Sequence, residues 1–90
     1  MNLNYIRYGQ DGTVVNVGLE VSNSGTSFIN HGNMAFIGTE ARYRIYSDLL
    51  QMATALNNAG HPVTGYDLLV EDFKIAAHLF DEYQKAKDIP

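Results

Sequence analysis

The chain has 90 residues, a formal net charge of -4 at pH 7 and 46% hydrophobic residues, which predicts one domain (residues 1–90) with one modest core. This acidic balance argues against a general nucleic-acid or anionic-membrane binder, because phosphate contacts need clustered lysine and arginine. The absence of cysteine excludes disulfides, thiolate metal sites and thiol nucleophiles. Charged residues make up 18%, below the roughly 25% usual for globular chains, and the neutral surface favours contact with another protein.

The N-terminal part of the chain (residues 1–38) carries strand patterns. The clearest strand spans residues 13–22, where Val17 and Leu19 belong to an apolar series that alternates with polar residues. Glycine- and asparagine-rich turns separate this segment from three further predicted strands, at 3–8, 26–30 and 34–37. The simplest arrangement is an antiparallel meander of three to four strands.

The C-terminal part (residues 39–90) predicts a first helix. Thr39 is the expected N-cap of a helix that starts at Glu40. Apolar residues then recur every three or four positions, at Ala41, Ile45, Leu49, Met52, Leu56 and Ala59. Gly60 and Pro62 form a stop signal after this stripe.

A second helix follows the short connection. The segment from Thr64 to Asp67 resembles a capping box with Asp in place of the usual Glu. A broad apolar face follows at Tyr66, Leu69, Val70, Phe73, Ala76, Ala77, Phe80 and Tyr83. The two helices are expected to form an antiparallel pair packed on one face of the sheet, which is an α+β fold.

The second helix also has apolar residues outside that face. Leu68, Ile75, Leu79 and Ala86 cluster on another side at about 100° per residue, and Asp72 and Glu82 interrupt or border them. A helix that is apolar on two sides is normally buried on two sides. We therefore expect these six residues to form a partner or dimer interface, unless the helix is sandwiched between the sheet and the first helix.

The sequence offers no familiar catalytic or metal-binding motif. His78 with Asp81 and Glu82 has a ligand-like spacing, but a metal site needs further ligands and a solvated helix face explains the three residues. The Gly9–Gly12 loop matches the GXXG pattern of nucleic-acid-binding KH domains. That loop joins two helices, whereas this one joins two predicted strands and contains an aspartate that would repel phosphate, so a hairpin turn is the better interpretation. We predict no catalytic residue, no metal and no cofactor.

An arginine- and tyrosine-rich cluster is a second candidate binding patch. Arg42, Tyr43 and Arg44 lie in the first turn of the first predicted helix, where positive charge is unfavourable. Tyr5, Arg7 and Tyr8 lie nearby if the sheet packs as expected. Such residues suit base stacking and protein contacts alike, although pairing with Glu40, Asp48 or solvent also accounts for the arginines.

These observations favour a small non-enzymatic interaction protein, a regulator or inhibitor that binds a larger protein partner and forms a homodimer. Small acidic inhibitors of this kind occur among phage and mobile-element proteins, an analogy of size and charge alone. The alternatives are a nucleic-acid-binding regulator that uses the arginine and tyrosine patch, and an enzyme of unfamiliar type with His78 or Tyr43 at its centre. We expect a cytoplasmic protein with no membrane association.

Overall fold

The fold is α+β, with strands followed by two long helices. A computed structural model describes the backbone of residues 2–8, 14–31 and 38–87, and the side chains of residues 16–31 and 38–87. The elements in chain order are β1 (Asn2–Tyr8), β2 (Val14–Ser22), β3 (Gly25–His31), α1 (Thr39–Asn58), β4 (Val63–Thr64) and α2 (Tyr66–Lys87). The first three strands are antiparallel neighbours in the order of the chain.

The fourth strand differs from the predicted one. Segment 34–37 lies outside the described residues, as do the predicted loop at 9–12 and residues 88–90. The strand next to β3 is β4, a two-residue segment between the helices that pairs in parallel with Thr26 and Ser27. The side-chain amide oxygen of Asn57 accepts a hydrogen bond of 2.9 Å from the Val63 backbone N–H. This contact holds the connection between the helices against the end of α1. A strand of two residues is too short to show an alternating pattern, so the sequence does not predict it.

The alternation expected in the best strand is only partly seen, because Gly18 between Val17 and Leu19 is buried as well. Val17 and Leu19 are fully buried, whereas Glu20 is exposed and Val21, near the strand end, is partly exposed. The register places Phe28 of β3 opposite Leu19. The helices therefore cover the face of the sheet that carries these residues.

One core cluster joins the sheet and both helices. Its buried members from the helices include Ile45, Leu49 and Ala53 of α1 and Leu69 and Ala76 of α2. Contacts pair early α1 residues with late α2 residues and late α1 residues with early α2 residues, so the helices run in roughly opposite directions. Met52, expected in the core, is partly exposed, as is Tyr83 near the end of α2.

The helix starts differ from the predicted caps, because neither threonine occupies a cap position. Gly38 is the N-cap of α1, with no side-chain hydrogen bond, and Thr39 is already helical. Thr64 belongs to β4, and the first helical hydrogen bond of α2 runs from the Leu69 N–H to the Gly65 carbonyl at 3.0 Å. Both glycines replace the expected hydroxyl caps, so the predicted capping box is wrong.

The end of α1 was predicted correctly. Its last helical residue is Asn58, and Gly60 has a φ of 86°. The Gly60 and His61 N–H groups donate to the Asn57 and Leu56 carbonyls at 3.1 and 2.8 Å. These two bonds are a Schellman motif, which satisfies helix-terminal carbonyls and favours glycine at this position.

Candidate protein-contact site on the second helix

Exposed apolar side chains follow one side of α2. Leu68, Ile75 and Leu79 are 66%, 50% and 42% exposed, and Ala86 further along the helix is also exposed. We call these four residues the α2 strip. Exposed single leucines are common, whereas a run of them along one helix marks an interaction surface. Within the described chain, neither the sheet nor α1 covers the α2 strip.

Polar residues border the α2 strip. Glu71 and Lys74 form an exposed ion pair at 3.4 Å. Lys85 lies 3.2 Å from Asp81 and 3.7 Å from Glu82, also on the exposed surface. Exposed pairs of this kind contribute less than about 1 kcal/mol each to stability. The α2 strip therefore has a charged edge along one flank, where Glu71 and Glu82 lie nearest to it.

Asp72 has a role that the sequence did not reveal. It interrupts the α2 strip in sequence, but its carboxylate reaches towards the sheet and accepts a hydrogen bond of 3.1 Å from the Asn30 amide. The Tyr46 hydroxyl donates to the same carboxylate oxygen at 3.3 Å, and the Asn30 amide also donates to the Tyr46 oxygen at 3.1 Å. We call Asn30, Tyr46 and Asp72 the junction triad, since they come from β3, α1 and α2.

The junction triad lies at the edge of the buried side of α2, which Leu69 and Ala76 form. Tyr46 is fully buried, and the pKa of its phenol is raised above the ordinary value. Burial is the larger cause, and the negative charge of Asp72 is the second. The phenol therefore stays protonated and remains a donor to Asp72. Leu69 and Ala76, the buried residues of α2, lie about 80–100° round the helix from the α2 strip, and Asp72 lies between them and the strip, so residues 68, 75 and 79 remain on the outer surface.

The arginine and tyrosine patch is only partly assembled. Tyr43 stacks on Phe80 with ring centroids 4.6 Å apart and lies 5.7 Å from Phe73, so its ring packs between the helices. Arg44 pairs with Glu40 at 3.0 Å, as expected for a solvated helix surface. Arg42 is half-buried, and its Nε has no hydrogen-bond partner among the described residues. The side chains of Tyr5, Arg7 and Tyr8 on β1 lie outside the described residues.

The other candidate chemistry does not come together among the described residues. His78, Asp81 and Glu82 are exposed on α2, and no group of three histidine, aspartate or glutamate side chains in the described ranges could hold a metal ion. Neither α1 nor α2 has a segment long and apolar enough to cross a membrane.

A second apolar surface was missed by the sequence. A groove of about 480 Å³ opens between the β2–β3 turn and the C-terminal end of α1. Leu19, Val21, Met52, Leu56 and Pro62 supply its apolar walls, and His61 lies at its edge. Met52 lies within the predicted apolar stripe of α1, and it is exposed because the buried residues Leu49 and Ala53 lie about 60–100° further round the helix.

No protein-family model, curated protein or solved structure matches this chain. The functional argument therefore rests on the surfaces described above.

Proposed function

We propose that this chain is a small non-enzymatic interaction protein, a regulator or inhibitor of a larger protein, and that the α2 strip is its protein-contact surface. The observation that carries the proposal is the exposure of Leu68, Ile75 and Leu79 on one side of a helix whose other side is already buried. Exposing these side chains forfeits roughly 25 cal/mol for each Å² of apolar surface that a partner would bury. A binding role accounts for this loss of stability.

The nucleic-acid alternative has less support. Two of its residues already have partners within the chain. Tyr43 packs on Phe80, and the exposed Arg44 forms an ion pair with Glu40. The formal net charge of -4 also opposes phosphate binding. A protein partner in the cytoplasm remains the proposal, since a chain of this size without cysteine has no disulfides to stabilise it in an oxidising compartment.

The test replaces one apolar residue at the centre of the α2 strip. We expect Leu79→Glu to keep the helical circular-dichroism spectrum and to lose partner binding by at least about tenfold, because a buried charge without a partner costs more than about 1.4 kcal/mol. The partner is first recovered with immobilised wild-type protein and identified by mass spectrometry. It is then purified, and its affinity for each variant is measured by calorimetry.

The matched control is His78→Glu. This residue is exposed on the same helix, one position away and about 80° round from the centre of the α2 strip, so the variant adds the same charged side chain on the charged flank rather than on the apolar centre. We expect the control to bind as the wild type does. Unchanged affinity of the Leu79→Glu variant for the purified partner would show that the α2 strip is not the contact surface.

A further inference from the structure

The residues of the α2 strip are spaced symmetrically about the midpoint of the strip. Leu68, Ile75, Leu79 and Ala86 are separated by seven, four and seven residues, and their midpoint lies between Ile75 and Leu79. At 1.5 Å per residue the strip is about 27 Å long. If a second α2 lies antiparallel on it, Ile75 of each copy faces Leu79 of the other and Leu68 faces Ala86. All four positions are matched at once, as a two-fold interface requires.

The charges beside the strip also distinguish the two directions. Asp67 lies in the first turn of α2 and Lys85 in the last turn. They are eighteen residues apart, which is five helical turns, so both lie on the same flank of the strip. An antiparallel copy brings Lys85 opposite Asp67 and Glu71, whereas in a parallel two-fold pair this flank faces the other flank of the partner and Lys85 meets neither acid. Antiparallel helix dipoles favour the same direction.

One flanking contact opposes this pairing. Glu82 of one copy approaches Glu71 of the other in the antiparallel arrangement. Lys85 lies 3.7 Å from Glu82 within its own chain and would face Glu71 across the interface, so it offsets the repulsion.

We propose that a second copy of this chain covers the α2 strip, with the two α2 helices antiparallel and the two-fold axis between Ile75 and Leu79. This inference rests on the proposed function, in which the α2 strip is a protein-contact surface. One helix face of this length covers on the order of 400 Å² per copy, against roughly 800 Å² per partner in a standard interface. The dimer is therefore expected to be weak, and its test uses a high protein concentration of about 100 µM.

The chain has no cysteine, so single cysteines introduced into it report the pairing without background. The variants Leu68→Cys and Ala86→Cys are purified separately, mixed in equal amounts and oxidised mildly at about 100 µM. We expect the mixed disulfide, which joins one copy of each variant, to exceed either like-with-like disulfide several-fold, measured by non-reducing electrophoresis and mass spectrometry. In an antiparallel dimer the two copies of residue 68 are about 27 Å apart along the axis, too far for a disulfide. Adding Leu79→Glu to both variants should abolish the mixed product.

Two results would overturn the inference. Predominance of the like-with-like disulfide of the Leu68→Cys variant would show a parallel dimer, and sedimentation of the wild-type chain as a monomer at about 100 µM would show that no such dimer forms. A monomeric wild type whose binding to the purified partner is still abolished by Leu79→Glu would leave the proposed function intact. Unchanged partner binding in that variant would count against the proposed function instead.

Discussion

At the scale of single residues, the junction triad is the feature that joins one strand to both helices. Tyr46 is fully buried, and its hydroxyl is accounted for by Asn30 and Asp72. A buried hydroxyl without partners would cost free energy, whereas one that bonds a carboxylate makes one of the stronger classes of hydrogen bond. The triad thus stabilises the contact among β3, α1 and α2.

Removing one hydroxyl from the triad tests this role. We expect Tyr46→Phe to lower the free energy of unfolding by about 1–3 kcal/mol, because the hydrogen bond to a charged group is lost while the ring remains. Urea unfolding followed by circular dichroism measures the change. The control is Tyr83→Phe, whose side chain is partly exposed near the end of α2, and it should unfold at the same urea concentration as the wild type. Equal effects of the two substitutions would contradict a stabilising role for the triad.

At the scale of elements, the ends of the helices depend on glycine. Gly60 has a left-handed backbone conformation and closes the Schellman motif at the end of α1. A Cβ at this residue would meet no atom of the described residues within 4 Å, so the expected penalty for a side chain comes from the backbone conformation. The same turn leads into Val63 and β4, and it therefore directs α2 back along α1.

A pair of substitutions at Gly60 separates conformation from space. We expect Gly60→Ala to lower the free energy of unfolding by about 1 kcal/mol, because alanine is disfavoured at positive φ. Asparagine tolerates the left-handed region, so Gly60→Asn should lose less than half as much although its side chain is larger. Thermal unfolding of both variants provides the comparison. An equal or greater loss for the asparagine variant would indicate that crowding rather than φ limits this position.

At the scale of the whole molecule, one core serves both the sheet and the helices. Leu19 of β2, Leu49 of α1 and Leu69 of α2 are members of the same buried cluster. A chain of 90 residues with a single core is expected to unfold in one cooperative step. A leucine truncation in the core should therefore lower the stability of the whole chain, whereas the same truncation in the α2 strip should not.

Two leucine truncations make that distinction. We expect Leu49→Ala to lower the free energy of unfolding by about 2–5 kcal/mol, because it leaves a cavity in the core. Leu68→Ala removes the same atoms from a side chain that is largely exposed, so its effect should stay within about 0.5 kcal/mol. Both are measured by urea unfolding at a protein concentration low enough to keep the chain monomeric. A loss at Leu68 comparable with that at Leu49 would mean that the α2 strip is buried within the monomer.

The sequence by itself determined the features that depend on local periodicity and backbone chemistry. Alternation predicted that Val17 and Leu19 would be buried, and the glycine at position 60 predicted the end of α1. The three- and four-residue spacing also predicted two apolar sides on α2. These patterns are readable because each reflects neighbours within one strand or one helix.

Only the tertiary structure decided which of the two apolar sides of α2 is exposed. Leu69 and Ala76 pack into the core with residues of β2 and α1, and Asp72 beside them bonds Asn30, a residue 42 positions earlier in the chain, and the buried Tyr46. Tyr43 was likewise predicted to lie in a surface patch, but its ring packs on Phe80 of the other helix. The parallel pairing of β4 with β3 also depends on contacts between distant parts of the chain, because a two-residue strand is too short to show an alternating pattern. Periodicity describes how side chains are arranged around one element, whereas the rotation of that element is set by contacts between residues far apart in sequence.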